Sequence, residues 1–72
     1  MKDLVNAVLE DPVAVLHGMS AAGDALVSIG RPALPLIQEV LDGHWTSNAH
    51  PKDVSEAFAY LATRIQAKAQ TS

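Results

Sequence analysis

Cysteine is absent from this 72-residue sequence, which excludes disulfide scaffolds and zinc–thiolate modules. Aromatic residues are scarce, with one Trp, one Tyr and one Phe. Cations are also few. Five Lys and Arg stand against eight Asp and Glu, a formal net charge of −3. Such a chain offers no positive field to collect phosphates, so nucleic acid is not an expected partner. Long hydrophobic runs are missing too. The longest nearly uncharged stretch, Val13–Ala22, is broken by His17, Gly18 and Ser20, well short of the ~20 residues that span a bilayer. The first residues, MKDLVNAVLED, lack the apolar core and cleavage site of a signal peptide. A cytoplasmic protein with no membrane partner is the expectation.

What the chain does have is apolar residues at helical spacing, within a composition that is 49% hydrophobic. One helical domain over 1–72 is expected. Leu4, Val5, Val8 and Leu9 share one face of a helix over 2–10, which ends at the restricted Asp11-Pro12 step. Val15, Met19, Ala22, Leu26 and Ile29 step by four and three, and predict one long helix over 12–29. Gly18 and Gly23 weaken it by about 1 kcal/mol each. If they break it, the break falls near Gly18–Ser20, where Ser20 is placed to cap a second piece. Gly30 reads as the stop of that helix. Leu34, Ile37, Val40 and Leu41 predict a helix over 32–42, with Pro32 and Pro35 confined to its first turn. Residues 43–51 form the one true loop. Val54, Ala57, Phe58, Leu61, Ala62 and Ile65 give the most regular stripe, in a helix over 51–68 with a frayed tail at 69–72. No stretch alternates like a strand, so the fold class is all-α: four helices in two antiparallel pairs.

The chain also repeats itself at an offset of 32. Leu4, Val8 and Leu9 recur as Leu36, Val40 and Leu41, and Val5 as Ile37. The same offset lays Asp24-Ala25-Leu26 over Glu56-Ala57-Phe58, and Ile29 over Leu61. Within residues 20–43, Ala21-Ala22, Ala25-Leu26, Ile29-Gly30, Pro32-Ala33, Pro35 and Leu36-Ile37 form a pattern that resembles the short HEAT-like repeat of the PBS-lyase type. The pattern covers one repeat well and the flanking halves more weakly. An early Arg and a Gly after the Leu are missing, and Val27 stands where that Gly would be. The resemblance implies a HEAT-like mini-solenoid or an irregular four-helix bundle that serves protein–protein contact. It carries over no catalytic residue.

Residues able to carry chemistry are thinly spread. His44 and His50 share a loop near Asp42, too few ligands for a metal site. Ser20, Ser28 and Ser47 lack a nucleophile signature. A helix-turn-helix around Gly30-Arg31 would place Pro32 and Pro35 at the front of its recognition helix, with Gln38 as the one base-reading side chain. The expectation is therefore a protein that is not an enzyme, has no cofactor, metal or small-molecule substrate, and binds protein. The partner is a second copy, in a homodimer, or a larger protein. An acidic immunity- or antitoxin-type inhibitor of a basic enzyme is the alternative. Trp45 is the most informative side chain, as a lid over the helix ends or as an interface anchor. His44 beside it, Tyr60 and Val27, the last two off their helices' apolar stripes, complete the candidate partner-binding set.

Overall fold

The computed structural model describes the backbone of residues 2–71 and the side chains of residues 2–69. Among them the chain forms five α-helices and no strand: α1 (Lys2–Glu10), α2 (Pro12–Leu16), α3 (Ala21–Ile29), α4 (Leu34–Leu41) and α5 (Pro51–Thr71). A short 3₁₀ turn, Arg31–Ala33, leads into α4. The all-α class expected from the periodicity is observed, with five helices instead of four.

The extra helix arises because the expected single helix over 12–29 is two. Gly18 takes φ +69°, a left-handed conformation that a side chain disfavours by about 1–2 kcal/mol. Its N–H donates to Val15 O, and the Met19 N–H donates back to Ala14 O. This pair of bonds is the Schellman closure of a helix end. Ser20 then adopts extended backbone, and its hydroxyl oxygen accepts the Gly23 N–H at 3.0 Å. Stop and cap lie two residues apart, so α2 ends and α3 begins on a new axis.

This turn sends α2 across α5, on which it packs. Pro12 and Val15 are its buried residues. A methyl group added at Gly23 would lie 3.2 Å from Val15 Cγ2 and 3.4 Å from Leu61 Cδ2. The bare backbone of α3 at Gly23 therefore lets α2 and α5 close in together. Met19 and Ile29, expected on the buried stripe, are exposed instead.

The helix expected over 32–42 begins with the 3₁₀ turn for a reason of its own. Pro35 has no N–H to donate to Arg31 O, four residues back. The Leu34 N–H bonds that carbonyl instead, which tightens the turn to three residues. At the other end of α4, the Gly43 N–H reaches Val40 O and the His44 N–H reaches Glu39 O. α5 extends to Thr71, past the 68 expected from its apolar stripe. Ser72 lies outside the described residues.

One core joins the helices. Val5 and Val8 of α1, Leu26 of α3, Ile37 of α4, and Phe58, Leu61 and Ile65 of α5 are fully buried. α1 packs on α3, α4 on α5, and α3 on α5, with a lesser contact between α1 and α4. The molecule exposes 4448 Å², close to the ~4,300 Å² that size scaling gives for a compact fold. The surplus surface expected of an open-ended stack is thus small.

The broken helix makes a prediction of opposite sign to the unbroken one. In a continuous helix, Gly18→Ala would stabilise by about 1 kcal/mol. At φ +69° it destabilises by about 1–2 kcal/mol, and Gly18→Asn by less, as chemical denaturation will show. Nothing lies within 4 Å of the added methyl group, so the loss is conformational and not a clash.

Candidate protein-binding surface

Among the described residues, the exposed large apolar side chains are Val13, Leu16, Met19, Ile29 and Tyr60. Three of them belong to the short α2 and its closing turn. Val13 and Leu16 are three residues apart and share a face, opposite the buried Val15. Met19 follows directly after the Gly18 turn and is 80% exposed. Tyr60 stands on α5, the helix against which α2 packs. The Arg64 guanidinium sits 5.7 Å from the centre of the Tyr60 ring. Its Nη1 also lies 3.4 Å from Asp24 Oδ1 on α3. Both charged groups are open to solvent, so this ion pair contributes about 0–1 kcal/mol. Its effect is to hold Arg64 along the Tyr60 face.

Of the four candidates from the sequence, Tyr60 and His44 are exposed, Trp45 is half-buried and Val27 is buried. Val27 is only 8% exposed and belongs to the core cluster, so it is not available to a partner. Its burial follows from α3 being packed by both α1 and α5, which widens the apolar face beyond the single stripe. The four do not form one cluster: Trp45 and His44 lie in the loop before α5, and Tyr60 lies midway along it.

The Trp45 loop is tied down at several points. The Ser47 hydroxyl donates to Leu9 O at the end of α1, at 3.0 Å, and accepts the Ala49 N–H at 3.1 Å. A side chain 38 positions away thus satisfies one of the carbonyls that a helix end leaves open. Trp45 packs on the core cluster and lines a cleft of about 320 Å³ with Val40, Leu41, Pro51 and Val54. It folds back over the junction of α4 and α5.

Met19 is a surface residue that sequence reasoning missed, because the four-and-three spacing assigned it to a buried stripe. The signal that marks it is local: a glycine able to end a helix, followed after one residue by a serine able to start another.

No chemistry-bearing cluster competes with this surface among the described residues. No buried polar or charged side chain occurs, and no three His, Asp or Glu converge as a metal cradle. A cleft of about 520 Å³ runs between the end of α3 and the late part of α5 and gathers Ser28, Arg31 and Lys68 around Ile29 and Ile65. No helix is long and apolar enough to cross a membrane. Comparison with protein-family models, curated proteins and solved structures returns no match.

Two substitutions test the loop in the isolated protein. Trp45→Ala lowers stability by about 2 kcal/mol, roughly half the loss for a fully buried aromatic. Ser47→Ala lowers it by about 1 kcal/mol, through the Leu9 carbonyl left without its partner. Urea titration followed by circular dichroism measures both.

Proposed function

We propose that this protein is a small, non-catalytic protein-binding module built as two stacked HEAT-like helical pairs. It associates with a second copy or docks on a larger protein through the outer face of α2, Met19 and Tyr60.

Agreement between burial and the offset of 32 at several aligned positions supports the repeat, although exposed Ile29 falls on buried Leu61. Displaced by 32, α1 falls on 34–42, and α4 is Leu34–Leu41. Val5 and Ile37 are both buried, as are Val8 and Val40, Leu26 and Phe58, and Ala33 and Ile65. Exposed Asn6 matches exposed Gln38, and exposed Asp24 matches exposed Glu56. Helix directions support the pairing. Arg31 and Leu34, where α4 begins, share a cleft with Gln66 and Ala69, late in α5. Val40 and Leu41, at its other end, share one with Pro51 and Val54. Such matching of opposite ends supports an antiparallel pair. Asp24 near the start of α3 meets Arg64, while Ile29 at its end meets Ile65 and Lys68. Equivalent helices of stacked pairs run parallel in that way.

The observation that carries the binding role is Met19 at 80% exposure beside Val13 and Leu16. Flexible Met side chains suit adaptable protein contacts. The face is apolar and not acidic, which favours packing over the charge-steered capture expected of an inhibitor of a basic enzyme.

Analytical ultracentrifugation over a wide concentration range, at low and high salt, tests the reading. Wild-type protein shows concentration-dependent association that survives high salt. Met19→Lys is monomeric, with a melting temperature equal to that of wild type at dilutions where wild type is itself monomeric. A wild-type protein that stays monomeric throughout removes the second copy as partner. Equal association of Met19→Lys and wild type removes the α2 face.

A further inference from the structure

We infer that His50 is a pH-sensitive cap of α5, which holds the start of the helix while its ring is neutral and releases it on protonation.

His50 occupies the position just before the first helical residue, Pro51. Its carbonyl accepts the Val54 N–H at 3.1 Å, and its ring Nδ1 accepts the Lys52 N–H at 3.2 Å. Pro51 has no N–H, so the Lys52 N–H is the first donor that the helix start must satisfy. A ring nitrogen accepts this bond only as a lone pair, with the proton on Nε2. Protonation turns Nδ1 into a donor facing a donor. It also sets a positive charge at the positive end of the helix dipole. Both effects oppose the capped geometry in the acid form. The cap of α3, by contrast, is the Ser20 hydroxyl, which does not titrate in this range.

His50 is exposed, so solvent protons reach it directly. The ionisable groups on the surrounding elements are Lys52 and Asp53 on α5, His44 in the loop, Glu39 and Asp42 at the end of α4, and Glu10 and Asp11 at the end of α1. Among the described residues none forms an ion pair with His50. The released turn carries Pro51 and Val54, which line the cleft beneath Trp45. Loss of the cap therefore loosens the seat of the Trp45 loop. The sign follows: the cap is present while the ring is neutral and is lost in the protonated form.

Amide exchange by NMR, corrected for intrinsic rates, tests this on wild type, His50→Asn and His44→Asn at about pH 7.5 and about pH 5.5. Asparagine caps a helix without titrating. In wild type and His44→Asn the Lys52 amide loses about fivefold protection on acidification, the value of an ordinary cap. In His50→Asn it keeps its protection. Equal loss in His50→Asn and wild type, or no loss in wild type, overturns the inference. The wild-type Lys52 amide resonance provides a reading that needs no variant: it must shift in step with the His50 ring signals, and a shift independent of them is contradictory.

Discussion

Because Gly18 stands at φ +69°, the chain after Leu16 cannot continue along the axis of α2, and the arrangement of the middle of the molecule follows from that restriction. The Schellman closure satisfies the carbonyls of α2. The Ser20 cap satisfies an N–H of α3. Between them the chain changes direction. One consequence is that α2 is free to cross α5 and seat Val15 against Gly23 and Leu61. The other is that the residue just past the turn, Met19, has nowhere to go but solvent. Packing and exposed surface thus have a common origin.

The remaining helices are organised around α5, which packs on α2, α3 and α4. Phe58, the only Phe in the chain, sits at the centre with Leu26 and Ile37, all fully buried. The helix with the most regular apolar stripe is therefore also the one that most other elements need. Its start rests on the His50 cap and the Trp45 loop, and that loop is in turn latched to α1 through Ser47. α1 and the loop before α5 are thus coupled through this polar bridge as well as through the core.

Much of this was legible in the residues. The all-α class, the stops at Asp11-Pro12 and Gly30, and the core positions Val5, Val8, Leu26, Ile37, Phe58 and Ile65 follow from spacing and turn chemistry, and the structure agrees. What escaped has identifiable causes. Spacing of four and three runs through Val15, Met19, Ala22 and Leu26 without a fault, and periodicity has no knowledge of the backbone angle at Gly18. Val27 lies off the stripe of an isolated helix, but α3 is packed from two sides. The bonds of Ser47 to Leu9 and of His50 to Lys52 depend on the exact path of a loop, and composition describes a loop only as polar. The partner-binding candidates suffered most, since exposure is what remains after packing and inherits each error made in predicting it.

The central claim is that α2 and α3 are separate helices and that the break between them creates the exposed face. Backbone chemical shifts measured by NMR over residues 12–29 test it most directly. The account predicts helical Cα shifts over 12–16 and 21–29, interrupted at 17–20, with Gly18 in the left-handed range and Ser20 extended. An unbroken run of helical shifts from Pro12 to Ile29 would contradict it, and would return Met19 to the buried stripe.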